Sequence, residues 1–403
     1  MAGDSVPFRD RLRRHRERLG MSRPVLAGQV GKSAEWVKAL ETGRLMTPRL
    51  PMLLRLAEVL QVDDLADLTG DERLMTATYG RAAHEQLPQI AAALATYQIA
   101  TGGDEPVNVA GLTGRVAQVW ELWHGARRHR TAIASLLPGL LRETRTAVRR
   151  VDGDERRAAL RALAQTYHLT QLYLSFQPAP ELVTLTGDRA MTAAQDADDP
   201  HAMAAAAWYL NHVYRDAGQQ HDARVRLALD AAGLLNPERG VEDRALWGLM
   251  HLAAALSFAK TGQEGDAWRH WDQADRAARS LPAGYHHSWL IFGRETVDAY
   301  AITMLADLMR GREAARRADV VDVGALPSAT RRAFHTIETA RSYHQAHEQV
   351  ATLHLLRAAF DEAPDTARFN VFTRSAVSDL AEHGGAPVRR DAQRLLLELD
   401  LTQ

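Results

Sequence analysis

Glu35 and Lys38 stand three residues apart in a stretch of helical pattern that runs from Ser33 to Thr42, so both side chains leave one face of a helix. A lysine ammonium can donate to guanine O6 or N7, and a glutamate carboxylate can accept from the exocyclic amine of cytosine. Ala34 and Ala39 lie on or near the same face and could touch thymine methyls, while Ser33 and Thr42 add hydroxyls of either polarity. These residue types suit the reading of base edges. Arg13, Arg23, Arg44 and Arg49 surround the stretch and are candidates for phosphate contacts, which position a protein on a duplex without reading it. Other chemistries find no support. The chain has no cysteine, which removes disulfides, thiolate metal sites and thiol nucleophiles. It carries no glycine-rich phosphate loop, no G-x-S-x-G and no kinase signature. His344, His347 and His354 invite a metal, but a turn is expected between the last two, and Ala351 leaves H-E-x-x-H incomplete. His84 and the pair His286 and His287 read as exposed, and His15 as packed. The expectation is therefore no enzyme, no cofactor and no metal.

Short helices must hold that face outward. Ser22 can cap a first helix in which Pro24 occupies the tolerant first turn. Ala27 is small enough for a second helix to cross closely, Gly31 can take the positive φ of a tight turn, and Ser33 can cap the second helix. Val37 and Leu40 form that helix's buried edge. Upstream, Pro7 to Leu19 reads as a helix with Phe8, Leu12, His15 and Leu19 in a stripe and Arg9, Arg11, Arg13, Arg14, Arg16 and Arg18 on its other faces. Downstream comes a basic loop, Thr42 to Arg49, then a helix from Leu50 to Leu60 burying Leu53, Leu54, Leu56, Ala57 and Leu60. A short fifth helix is expected near Asp63 to Leu68, and Gly70 closes the domain. Trp36 fits packing better than a groove contact.

With these residues in place the segment resembles the phage-repressor-like (XRE-type) helix-turn-helix family. The resemblance rests on Gly20, Ser22, Leu26, Ala27, Gly31, Ser33, Val37, Leu40, Glu41 and Gly43, with Leu56, Ala57 and Leu60 following. It implies a five-helix domain over residues 1–70 that binds double-stranded DNA. One position departs. The family commonly begins the first of the two central helices with glutamine, whereas this chain has Arg23, which can reach phosphate but cannot repeat an amide's bidentate base contact. The operator is not inherited with the resemblance.

Charge is partitioned in the same sense. Residues 1–60 hold twelve Lys and Arg against six Asp and Glu, while the remaining 343 residues carry 37 against 44. The basic excess lies with the reading helix, as expected where one domain meets phosphates and the other avoids them. The longest apolar run, Ala202 to Leu210, falls well short of the roughly 20 residues that span a bilayer. The first residues lack a basic start followed by an apolar core, so no secretory signal is expected. The expected location is the cytoplasm, at the nucleoid when bound to DNA.

Residues 71–107 read as a linker, an alanine-rich helix from about Glu72 to Ala100 broken near Pro88 and ending in the TGGDEP stretch. Residues 108–403 read as helical throughout, with no strand required. Tyr214, Gly218 and Ala223 recur 44 residues later as Phe258, Gly262 and Ala267. In each set the aromatic ends a helix, the glycine turns the chain and the alanine admits the next helix. Later units degenerate: Gly311 keeps only the turn, and His347 stands where a last unit would place its glycine. The spacing resembles tetratricopeptide repeats, although the step exceeds their usual length of about 34. Such a repeat implies an α-solenoid with a free concave face. An all-α chain that joins an XRE-type helix-turn-helix domain to a tetratricopeptide-like array resembles bacterial transcription regulators in which the array dimerises, senses a peptide or small-molecule effector, or both. In the peptide-sensing members an array asparagine grips the peptide backbone, and Asn211 is the asparagine on a plausible inner helix. Tyr209, His212, Arg215 and Trp247 could line a pocket beside it. The alternative is an antitoxin or adaptor that uses the same two parts to bind a dedicated protein.

Overall fold

The computed structural model describes residues 7–45, 47–48, 50–60, 62, 65–70, 83–97, 99, 106–216 and 221–400, the side chains of residues 50, 51, 58, 66 and 213–216 excepted. Among these residues the elements are 22 α-helices and one 3-10 turn, Val323–Ala325, with no strand. Contacts divide the chain into two compact units, residues 1–80 and 81–403.

The first unit contains α1 (Phe8–Arg18), α2 (Arg23–Gln29), α3 (Ala34–Glu41), α4 (Leu50–Val59) and α5 (Leu65–Thr69). Leu12, Leu26, Val37, Leu40, Leu56 and Leu60 are essentially inaccessible and form one core with Leu65 and Leu68. Leu54, expected inside, is instead exposed. Its neighbours Leu53, Leu56, Ala57 and Leu60 already complete the buried stripe of α4, and residue 54 falls outside that arc.

The second unit begins earlier than its sequence implies. Pro88, read as a break, lies in the first turn of α6 (Leu87–Ala95), where its missing N–H costs nothing. Ile90 and Leu94 on that helix are fully buried, and Arg189 Nη1 donates to the carbonyl of Leu94 at 2.9 Å. Residues 83–97 therefore belong to the folded array rather than to a linker. Residues 71–82 and 101–105 lie outside the described set.

Then follow α7 (Val109–Gly125), α8 (His129–Ala134), α9 (Leu137–Arg150), α10 (Gly153–Leu174), α11 (Pro180–Asp196), α12 (Pro200–Asp216), α13 (His221–Gly233), α14 (Val241–Lys260) and α15 (Glu264–Arg279). The unit ends with α16 (Arg294–Asp307), α17 (Gly311–Ala318), α18 (Ala329–Gln345), α19 (Gln349–Glu362), α20 (Pro364–Phe369), α21 (Val371–His383) and α22 (Ala386–Glu398). Short connections make neighbouring helices antiparallel. In addition α10, α12, α14, α16 and α18 touch one another in series. Buried alanines, Ala204–Ala207 on α12 and Ala253–Ala255 on α14, allow these close approaches.

The series does not stay open. Helices α7 and α8 meet α18 and α20, far along the chain. Arg127 Nε donates to the carbonyl of Asp361 at 3.1 Å, and the Thr131 amide to Asp365 Oδ2 at 3.1 Å. His124 Nε2 lies 3.0 Å from the Trp289 carbonyl and Nδ1 2.9 Å from Ser328 Oγ. The Trp289 carbonyl can only accept, so Nε2 carries a proton, and in the neutral imidazole Nδ1 accepts from the Ser328 hydroxyl, whose oxygen also accepts from the Arg331 amide. Burial, with the Arg331 charge adding to it, pushes His124 down to about 4. The inner face that an open stack would leave free is thus covered by the unit's own first helices.

The recurring turns are realised unevenly. Phe258 ends α14, Gly262 takes φ +78°, and Ala267 is fully buried on α15; Gly218 lies outside the described residues. Gly311, read as a turn residue, serves another purpose. Met309 supplies the positive φ, while a Cβ on Gly311 would lie 2.5 Å from that of Gln345, so this glycine lets α17 press on α18. His347 does occupy the turn, in the left-handed region at φ +64°. His84 and His287, read as exposed, are buried: His84 accepts from the Gln86 amide and stacks edge-on with Tyr173, and His287 lies against Trp289.

Candidate nucleic-acid interface

Helix α3 is set by its two ends. Ser33 Oγ accepts from the Trp36 amide at 3.2 Å, and Ser22 Oγ caps α2 by accepting from the Val25 amide. Between the two helices Gly31 adopts φ +68°, and the Lys32 amide reaches back to the Ala27 carbonyl at 2.8 Å. Ala27 is buried where the helices cross. Val37 and Leu40 face the core, so rotation about the axis of α3 is determined and the opposite face meets solvent.

Ser33, Glu35, Lys38 and Thr42 are exposed on that face, and Ala34 and Ala39 are half-buried at its edges. Glu35 binds two of its neighbours: Arg44 Nη2 at 2.6 Å and Lys38 Nζ at 3.7 Å. The Arg44 hydrogen bond, then the Lys38 charge, holds Glu35 below the usual carboxylate range. These pairs are solvated and readily exchanged for other partners. Thr42 Oγ1 donates back to the Lys38 carbonyl at 2.8 Å. Trp36 is half-buried against the core, with Lys32 Nζ 5.9 Å above its ring, which is the packing role.

The expected phosphate contacts are placed less simply. Arg13 pairs with Glu17 at 2.8 Å in solvent. Arg23 donates from Nε to Glu41 Oε2 at 2.7 Å, so part of its guanidinium is committed to the fold. Arg49 lies outside the described residues. Arg16, which reads in the sequence as one more basic surface residue, is buried and gives Nε to Glu41 Oε1 at 2.6 Å and Nη2 to Oε2 at 3.1 Å. Burial opposes the Glu41 charge, but the hydrogen bonds from Arg16 and Arg23 outweigh it and keep that carboxyl below its ordinary value of 4.5. This triad, in which Arg16 and Glu41 are buried and Arg23 half-exposed, ties α1, α2 and α3 together. Its signal was in the spacing: Phe8, Leu12 and Arg16 recur every four residues, on one face of α1. Arg11 Nη1 and Arg18 Nη2 are turned likewise onto the carbonyls of Asp67 and Leu60.

The five candidate ligand residues of the array separate. Tyr209 and His212 line a cavity of about 200 Å³. Asn211 does not: its Nδ2 donates to the Arg224 carbonyl at 2.7 Å and its Oδ1 accepts from Ser257 Oγ at 2.7 Å, so both polar atoms are spent between helices. Trp247 packs on the core and edge-on against His251, away from that cavity. The Arg215 side chain is outside the described set. His344 packs on Phe372, and among the described residues no three His, Asp or Glu side chains gather as a metal site. No described helix is long and apolar enough to cross a membrane.

A family model of helix-turn-helix domains matches residues 7–68. No curated protein and no solved structure matches the chain.

Proposed function

We propose that this chain is a sequence-specific DNA-binding transcription regulator of XRE type. Its five-helix first domain would read an operator, and its tetratricopeptide-like array would dimerise and bind an effector. The observation that carries the reading is the exposed face of α3, where Glu35 and Lys38 stand outward over a helix-turn-helix crossing. With α3 in a major groove, Lys38 would donate to guanine and Glu35 accept from cytosine, with Ser33 and Thr42 beside them. Arg44 would leave Glu35 for a phosphate, and Arg13 and Arg49 would add others. Charge-assisted bonds to phosphate replace the solvated pairs at little cost. A two-fold dimer would set its reading helices about 34 Å apart and favour a palindrome.

Selection from randomised duplexes with the full-length protein tests this. The expected result is an enriched, two-fold symmetric sequence whose affinity falls steeply with salt. Failure to retain any duplex at low ionic strength would reject the reading. Retention without enrichment, together with capture of one dedicated protein, would favour the antitoxin or adaptor alternative.

A further inference from the structure

The cavity of the array has walls of unusual chemistry. Trp123, Leu172, Val183 and Phe334 make it largely apolar, yet two guanidiniums, Arg130 and Arg331, also line it, and no aspartate or glutamate does. Arg331 spends Nη1 on the Tyr300 hydroxyl at 2.9 Å. Arg130 is almost wholly buried between the rings of Trp123 and Phe369, each 5.4 Å from its guanidinium carbon. Its Nη2 donates to the Ser175 carbonyl at 3.1 Å and its Nη1 meets His129 Nε2 at 3.3 Å, but Nε has no partner. Asp365, whose charge it feels, accepts from the Thr131 amide instead. Burial brings Arg130 down to about 10, so it remains cationic at neutral pH.

Three further groups on the wall, from Tyr209, Gln171 and Thr366 (Oγ1), are buried and unsatisfied. The Tyr209 hydroxyl has no hydrogen-bond partner, and neither has Gln171 Oε1. The first needs an acceptor and the second a donor. A buried polar group or charge left in this state is costly, so a ligand that completes it gains accordingly. Size limits the choice. A cavity of about 150 Å³ holds a benzene, so this one has room for a single substituted ring.

We propose that the cavity binds a single-ring aromatic carboxylate, with its carboxylate on the guanidinium of Arg130, its ring between Trp123 and Phe334, and a ring hydroxyl shared by Tyr209 and Gln171. The assignment deepens the effector-binding part of the regulator reading and rests on it only for its biological role. Binding itself involves no DNA.

The test is calorimetry and thermal unfolding of the full chain with benzoate and 4-hydroxybenzoate, with benzamide and acetate as controls. Both aromatic carboxylates should bind and raise the unfolding temperature, and both controls should bind at least tenfold more weakly. Tyr209→Phe removes a hydroxyl that bonds to nothing in the free protein. It should leave the unliganded unfolding temperature unchanged or higher and weaken 4-hydroxybenzoate about three- to tenfold. A structural role for that hydroxyl would instead lower the unliganded stability. Thr184→Trp, at the exposed rim of the cavity, should abolish binding in a folded protein, and Arg130→Met should erase the preference for benzoate over benzamide. No heat at millimolar benzoate or 4-hydroxybenzoate, equal binding of benzamide, or unchanged binding by Thr184→Trp would each overturn the proposal. Because no DNA is present, such a failure leaves the regulator reading standing, and a failed operator selection leaves this measurement valid.

Discussion

Arg16 in the first unit and Arg130 in the second are both guanidiniums taken out of water, and their surroundings differ in one respect. Arg16 has Glu41 at 2.6 Å, whereas Arg130 has a carbonyl, an imidazole nitrogen and two aromatic faces. The first charge is neutralised by its own chain and so locks three helices. The second has no carboxylate in contact, which is the condition in which an outside anion binds well. Polar groups exposed on α3 follow a third regime, paired in solvent and free to change partners. Whether a charged side chain locks the fold or stays open to another partner thus depends on what completes it.

Acid should break the comparison most strongly. His124 and His251 are pushed down to about 4, and His168 and His335 to about 3, chiefly by burial. A lowered histidine binds its proton more readily in the unfolded chain, so its contribution is complete above the ordinary value of 6.5 and is lost as pH falls toward the folded value. For His124, His168 and His335 shifts of this size are worth about 3–5 kcal/mol per group, so the array should lose stability from pH 6.5 downward. Glu41 carries a lowered carboxyl, whose contribution holds above 4.5 and is lost below it. Unfolding by circular dichroism across pH 7 to 3 should show the second unit weakening first. Simultaneous loss would contradict the assignment of charges.

Glu41→Ala comes next. It strands a buried Arg16, and denaturant unfolding of the first unit should register about 3–5 kcal/mol, with DNA affinity falling in parallel. Lys38→Ala, on the exposed face, should leave stability unchanged and remove about 1–3 kcal/mol of discrimination at one base position in a binding titration over single-base variants. Arg44→Ala should weaken every duplex alike and lower the salt slope by about 1, with specificity intact. The smallest effect compares two turns. Gly31 and His347 share a left-handed conformation, at φ +68° and +64°, but only glycine takes it without strain. His347→Gly should therefore stabilise the array by about 1 kcal/mol, whereas Gly31→Ala should destabilise the first unit by a similar amount.

Local patterns in the sequence determined the first unit in detail. Caps at Ser22 and Ser33, the turn at Gly31, the crossing at Ala27 and the buried edge of Val37 and Leu40 are each set within a few residues, so spacing alone places α3 and its outward face. The all-helical character of the remainder was legible for the same reason, since helical periodicity and the turn at Gly262 are local. What the sequence could not settle is decided by groups distant along the chain. Asn211 is consumed by Arg224 and Ser257, α7 and the segment after it are tied to the later helices by His124 with Ser328 and by Arg127 with Asp361, and Arg130 is left without a carboxylate beside it. Helix propensity and capping act over one or two turns, but hydrogen-bond satisfaction and burial depend on which distant segments come together, and only the folded chain assigns those.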